Sequence, residues 1–185
     1  MASQTPKFWL ITGASSGLGL ELSLAALAAG QHVVCTSRHV QKAAASHPEF
    51  EMLGDRWLEG KLHWVIINNA GNTLVGVAED VSEAQLSQYL QSNVCGCIRV
   101  WKAALPILRR RRQGTLITTS SIWGFVPKPE YMLYSAAKAM VESSAESYAP
   151  LLAPFGIQTL VIQPGGFKTP FAENHQISDQ GISQD

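Results

Sequence analysis

Tyr134 and Lys138 stand four residues apart, and Ser121 precedes the tyrosine by thirteen. On a helix, positions i and i+4 share one face, one turn apart. A phenol titrates near pH ~10 and is a poor proton donor or acceptor at neutrality, but a neighbouring ammonium favours the phenolate and lowers that value. The pair can therefore do acid/base chemistry. A Tyr-x-x-x-Lys spacing arises by chance in many helices, so its weight comes from a second motif at the other end of the chain. Thr12-Gly-Ala-Ser-Ser-Gly-Leu-Gly19 works through absent side chains. Gly13 permits a tight turn, while Gly17 and Gly19 let backbone approach a pyrophosphate and pack a helix on a strand.

The elements that must position these groups can be read from the apolar pattern. Phe8–Ile11 is a short apolar run ending in the glycine turn, as a buried parallel strand should. Leu18–Ala29 is Leu/Ala-rich and closes at Gly30, which predicts a helix with a C-terminal glycine. Residues 32–37 and 63–67 read as strands, the second running into Asn68-Asn-Ala-Gly71. From Val81 to Leu108, the residues Leu86, Leu90, Val94, Trp101, Leu105 and Leu108 recur at helical intervals, so one long amphipathic helix is expected, bent or ended at Pro106. Residues 114–119 form a strand, 131–152 a second long helix and 157–162 a last strand. Strands alternating with helices predict an α/β domain with a parallel sheet.

Composition bounds the function. The 185 residues are 46% hydrophobic and 15% charged, which suits a single soluble domain over residues 1–185, with residues 172–185 fraying as a polar tail. Fourteen basic residues balance fourteen acidic ones, so no footprint points to nucleic acid or a membrane surface. Arg109–Arg112 reads as a cation cluster at a helix C-terminus. Cys35, Cys95 and Cys97 form no CxxC pair and no histidines stand at ligand spacing, so buried thiols in a reducing compartment are expected and no metal is. With no signal-peptide core and no apolar run of membrane-spanning length, a cytoplasmic location is expected.

The wide glycine motif, NNAG, Asn93 in Asn-Val-Cys-Gly96, Ser121, YxxxK and Pro164-Gly-Gly-Phe-Lys-Thr169 occur in an order that closely resembles the short-chain dehydrogenase/reductase family. The resemblance runs from Phe8 to about Pro170. It implies a Rossmann-like, doubly wound parallel sheet with helices on both faces, and an oxidoreductase that interconverts a carbonyl and an alcohol by hydride transfer. It also implies roles. Tyr134 would be the acid/base, Lys138 would depress its pKa and hold the nicotinamide ribose, and Ser121 would polarise the substrate oxygen. Asn93 would hold a water that relays protons from Lys138. Gly13, Ser15, Gly17, Leu18, Gly19, Ser37, Arg38, Asn69, Tyr134, Lys138 and Thr169 would contact the cofactor. Asn69 would border its adenosine half and Thr169 its carboxamide, while Asn68 reads as structural.

Cofactor choice depends on the end of the second strand. A carboxylate there would accept from the ribose 2′-hydroxyl, whereas Thr36-Ser37-Arg38 suits a 2′-phosphate that arginine can grip with two hydrogen bonds. NADP(H) is therefore expected over NAD(H). The substrate is a small carbonyl or alcohol; Trp123, Phe125 and Tyr131 suggest that it is apolar.

Two segments depart from the pattern. Arg56–Glu59 looks like the start of a third strand, yet the strand at His63 follows at once. In the family's order the connection crosses three strand gaps, ~14 Å sideways with a similar return, and four residue steps reach at most ~14 Å. An internal deletion between Glu59 and Gly60 is the expectation, exposing the apolar sides of Val33–Cys35 and Trp64–Ile66. The family also continues past Thr169 with a lid and a further strand. The sheet is thus expected to be incomplete, with its third and last strands missing or partial. Three functional readings stay open: an active reductase or dehydrogenase, an impaired remnant that only binds dinucleotide or dimerises, and an unstable product. A homodimer or tetramer would form through the two long helices.

Overall fold

The computed structural model describes residues 5–47, 63–171 and 175–179. Five parallel strands form the main sheet: β1 (Phe8–Ile11), β2 (His32–Cys35), β3 (Trp64–Asn68), β5 (Gly114–Thr119) and β6 (Ile157–Ile162), in the order β2-β1-β3-β5-β6. The register places Phe8 beside both His32 and Trp64, and Asn68 beside Thr118. Short β4 (Leu74–Val75) and β7 (Gln176–Ile177) form a separate two-stranded parallel sheet. The expected third strand and the break at Glu59–Gly60 lie outside the described residues.

Alternation along the strands divides the apolar residues between two faces. Phe8, Trp64, Ile66 and Leu116 pack under α4 (Gly96–Arg111) and α6 (Met132–Leu152), against Trp101, Leu105, Leu108 and Leu152. Ile11, Val65, Ile67 and Ile117 face the other way, with Leu22 of α1 (Gly17–Ala28) against them. Helices therefore cover both faces, as a doubly wound sheet requires. The order reverses direction at β1/β3, and the glycine turn opens at that switch point, where α/β sheets hold their ligands.

Three local expectations are corrected. Trp64, Val65 and Ile66 are not exposed; they are 6%, 3% and 4% accessible, because α4 and α1 cover them, while Val33, Val34 and Cys35 are half-buried. Pro106 neither ends nor breaks its helix: α4 continues to Arg111. Pro106 and Lys102 are both exposed, so the carbonyl four residues back that loses its donor can turn to water. The long helix is interrupted elsewhere. α3 (Glu83–Leu90) passes through a π-helical turn at Gln91–Cys95 before α4 begins.

The arginine cluster closes α4. Arg112 takes a left-handed conformation (φ 53°) and its guanidinium donates to the Pro154 carbonyl at 2.8 Å. Arg109 and Arg112 lie 5.2 and 5.8 Å from the Phe155 ring centre. This is the helix-end role that cations favour.

Part of the tail expected to fray is docked. β7 pairs with β4, and Ser178 is 5% exposed. The Asp179 carboxylate accepts from the Ser82 amide at 3.0 Å and from the Ser82 hydroxyl, and Gln85 bonds both Ile177 O (2.8 Å) and Asp179 N (3.0 Å). A carboxylate at the start of α3 satisfies amides that the helix cannot pair itself. Those bonds hold the Asp179 carboxyl below its usual range.

Candidate active site

The glycine turn is shaped by close approach. Gly13 adopts φ +67°, and a Cβ there would meet Ala70 Cα at 2.8 Å; one at Gly19 would meet Gly13 O at 2.4 Å. Only glycine lets the turn, the start of α1 and the end of β3 meet so closely. Thr12, buried behind the turn, ties it to NNAG. Its hydroxyl accepts from the Asn69 and Ala70 amides, both at 3.0 Å. The Asn69 side chain donates to Thr12 O and Gly13 O, at 3.0 and 3.4 Å. Asn69 thus braces the turn with the very amide that was expected beside the adenosine. Asn68 is structural in the expected sense, donating to Cys97 O and Sγ at 3.2 and 3.1 Å.

The residues present fit a dinucleotide. The amides of Gly17, Leu18 and Gly19 belong to the first turn of α1, where N–H groups have no partner inside a helix. Ser16 gives no side-chain cap and no acid occupies that turn, so an anion is not opposed there. Ser15 is exposed in the same turn, and Thr169 closes over it: a Cβ on Gly17 would lie 3.6 Å from Thr169 Cβ. At the end of β2, Thr36 Oγ1 accepts from Gly13 N at 3.4 Å and Ser37 Oγ accepts from His39 N at 3.2 Å. Both hydroxyls keep their O–H donors. Arg38 is exposed and makes no hydrogen bond or ion pair among the described residues.

Ser121, Tyr134 and Lys138 come together beyond the C-terminal ends of β3 and β5. Ser121 caps α5 (Ile122–Phe125), accepting from Trp123 N at 3.2 Å. Tyr134 and Lys138 project from the first part of α6, 5% and 8% exposed. Lys138 Nζ donates to Thr119 O at 2.8 Å and lies 5.8 Å from the Tyr134 ring centre. Burial raises the Tyr134 phenol, and a hydrogen bond with Ser121 pulls against it. Burial lowers the Lys138 ammonium to about 8.

Asn93 sits inside the π-helical turn, a geometry frequent at functional sites. Its amide donates to Asn72 Oδ1 (2.6 Å) and Tyr89 O (3.1 Å), and its Oδ1 accepts from Asn72 N at 2.9 Å. A Cβ on Gly71 would stand 3.0 Å from Asn93 Oδ1 and 3.6 Å from Lys138 Nζ, so the two polar groups converge there.

Sequence reasoning missed a junction behind this group. Ser120 Oγ donates to Glu142 Oε2 at 2.8 Å and lies 3.3 Å from Lys138 O, while Gln163 Nε2 donates to Glu142 Oε1. Glu142 thereby joins β5, α6 and the end of β6. Its position one turn after Lys138 was the available signal, but its partners are distant in sequence. The aromatic wall also differs from expectation. Trp123 meets Tyr134 edge-on at 6.0 Å and Tyr131 at 4.3 Å, whereas Phe125 is 74% exposed. Phe171, 6.1 Å from Tyr134, completes the wall instead.

Known proteins resemble this chain in sequence and in fold. The short chain dehydrogenase family model matches residues 58–180. Oxidoreductase claN of Passalora fulva is 40% identical over 88% of this chain and 83% of its own length. The 3-ketodihydrosphingosine reductase of Bacteroides thetaiotaomicron is 34% identical over 94% of this chain and 69% of its own. The solved structure of ElxO with NADP bound superposes with a TM-score of 0.76 at 27% identity, covering 89% of this chain and 75% of that one. No helix among the described residues is long and apolar enough to cross a membrane. The chain belongs to the short-chain dehydrogenase/reductase family, the nicotinamide-dinucleotide-dependent oxidoreductases that act on CH–OH and C=O groups of small molecules.

Proposed function

We propose that this chain interconverts a carbonyl and an alcohol on a small apolar substrate, with Tyr134 as the acid/base and NADP(H) preferred to NAD(H). The observation that carries the reading is the convergence of buried Ser121, Tyr134 and Lys138 beyond the end of β5, with Lys138 one turn after the tyrosine on α6. A bound nicotinamide supplies or takes the hydride. In reduction Tyr134 gives its proton to the carbonyl oxygen, and Ser121 donates to the same oxygen as charge builds on it. Burial keeps the phenol protonated until then. Lys138 lies beside the phenolate that results, and its value of about 8 lets it give up a proton near neutral pH. Asn93 holds the water that carries that proton towards solvent. Trp123, Tyr131 and Phe171 supply an apolar wall, and the likeness to a protein named for a sphingoid ketone supports an apolar substrate.

Ser37 and Arg38 would bind the 2′-phosphate, and Thr169 the carboxamide. The backbone of Gly13 to Gly19 would follow the pyrophosphate, with Ser15 on it. The protein would work in the cytoplasm. It would pair through α4 and α6, whose Ile98, Met140 and Leu151 are 44%, 48% and 58% exposed. NADPH fluorescence titration, a melting curve and NADPH oxidation with apolar aldehydes and ketones test the reading together. Saturable binding with turnover supports it. Binding without turnover across the panel would leave the alternative, a dinucleotide-binding or dimerising remnant, and no binding would refute both.

A further inference from the structure

β6 is the last strand of the main sheet, and among the described residues only β5 pairs with it. Its backbone decides which groups face outward. Ser120 N donates to Ile162 O at 2.8 Å, and Ile162 stands opposite Thr119. In a parallel pair a residue turns its N–H and C=O to the same side, and that side alternates along the strand. Gln158, Leu160 and Ile162 therefore bond β5, while Ile157, Thr159 and Val161 aim their N–H and C=O groups outward. Exposed edges are normally blunted by lysine, proline, an inward charge or a bulge. The run Ile157–Ile162 has no charged residue and no proline, and its register against β5 is unbroken from Gly114–Ile157 to Thr119–Ile162. Leu160, on the same face as Ile162, is 51% exposed. Beside the edge lies an open groove of about 790 Å³, whose lining includes Ala149, Pro150, Ala153, Ile157, Thr159 and Leu160 and no charged side chain.

We infer that this edge is an interface at which a second copy of the chain adds its own β6, antiparallel, about a two-fold axis through Thr159. A row of backbone donors and acceptors calls for a strand as its partner. This strand fits itself. With the axis at Thr159, Ile157 exchanges both hydrogen bonds with Val161 of the second copy, and the two Thr159 residues exchange both of theirs. Every outward group is then paired in one register, as an isologous contact requires. The intervening residues match as well. Leu160 falls opposite Gln158 of the second copy and diagonal to its Leu160, within reach of apolar contact. No like charges meet at the strands, and the whole chain balances 14 basic against 14 acidic residues, so the copies do not repel. A foreign strand needs no such symmetry; the self-matched register selects the second copy. The contact is made by backbone and does not depend on pairing through α4 and α6.

The test is the sedimented mass of the whole chain, with amide hydrogen exchange along β6 as the site-specific readout. In the assembled wild type the Thr159 and Val161 amides should exchange about tenfold or more slowly than after dilution to the monomer. The Leu160 and Ile162 amides, already bonded to β5, should not change. Thr159→Pro removes an outward N–H and no bond to β5, the position at which an edge strand tolerates proline. Leu160→Lys sets a charge on the edge and serves if the proline variant does not fold. Each should halve the wild-type mass, whether the starting assembly is a dimer or a tetramer completed through the helices. An unchanged mass in either folded variant would move the assembly to another surface and overturn the assignment. A wild type that stays monomeric at all concentrations would overturn it too. Edge amides protected in that monomer would show that another segment of the same chain covers β6.

Discussion

The two ends of the proposed cofactor cleft are built differently. At the tyrosine end, Ser121, Tyr134, Lys138 and Asn93 are 7%, 5%, 8% and 8% exposed, and Ser121, Lys138 and Asn93 are each held by a bond to another element or to their own turn. At the far end, Arg38 is exposed and, among the described residues, Ser37 has only a bond within its own turn. Groups that must meet a developing charge gain from being fixed beforehand, because no reorganisation is then needed during reaction. A group that only selects a ligand can wait in water and order itself on binding, at the cost of side-chain entropy. Substitutions at the two ends should therefore fail in different ways.

The largest effect belongs to Tyr134→Phe. It should abolish carbonyl reduction while NADPH titration changes little, since it removes a proton donor and almost no volume. A variant retaining more than a tenth of the wild-type rate would exclude Tyr134 as the acid/base.

Lys138→Met should lose turnover and cofactor affinity together, yet gain stability. An ammonium moved from 10.5 to about 8 costs the fold on the order of 3 kcal/mol at neutral pH. Between pH 8 and 10.5 the unfolded chain holds this proton more tightly than the folded one. The wild type's deficit is thus complete below pH 8 and closes as pH rises towards 10.5. Paired urea melts of the two proteins across this range check the sign. A variant less stable than the wild type at pH 7 would show that Nζ's bond to Thr119 outweighs its desolvation.

At the open end, Arg38→Ala should weaken NADPH by ~1.5–3 kcal/mol, the worth of a charge-assisted hydrogen bond, and leave NADH nearly unchanged. Equal losses for both cofactors would place Arg38 outside the 2′-phosphate site and remove the contrast drawn here.

The smallest effect tests how the tyrosine end is held. In Glu142→Gln the side-chain amide can accept from Ser120 or from Gln163, but not from both. The rate constant kcat should fall by about one net hydrogen bond, ~0.5–1.5 kcal/mol, with KM for NADPH unchanged. Adding Gln163→Glu restores a donor–acceptor match and should restore kcat. Failure of the second change to rescue the first would mean that Glu142 does not position Ser120 and Lys138.

Much of the fold was legible because it rests on local periodicity. The runs at Phe8–Ile11, 114–119 and 157–162 are the strands as read, and the two α6 residues lie on one face because four residues make about one turn. The glycine positions were legible for a similar reason: an absent side chain is itself a signal where backbone must approach backbone. The site was legible as a set of residue types, less so in its use of them. Asn69 braces Thr12 and Gly13, a role set by residues more than fifty positions away.

What only the tertiary structure decided concerns burial and long-range partners. The sequence by itself determined an alternating α/β chain, a glycine turn after the first strand, and a tyrosine one turn before a lysine. It could not determine that burial raises the phenol and lowers the ammonium, since desolvation depends on everything packed around a group. Nor could it show the π-helical turn that carries Asn93 or the docking of Asp179 on α3. Those depend on where segments far apart in the chain meet, and no local pattern of residue types encodes such a meeting.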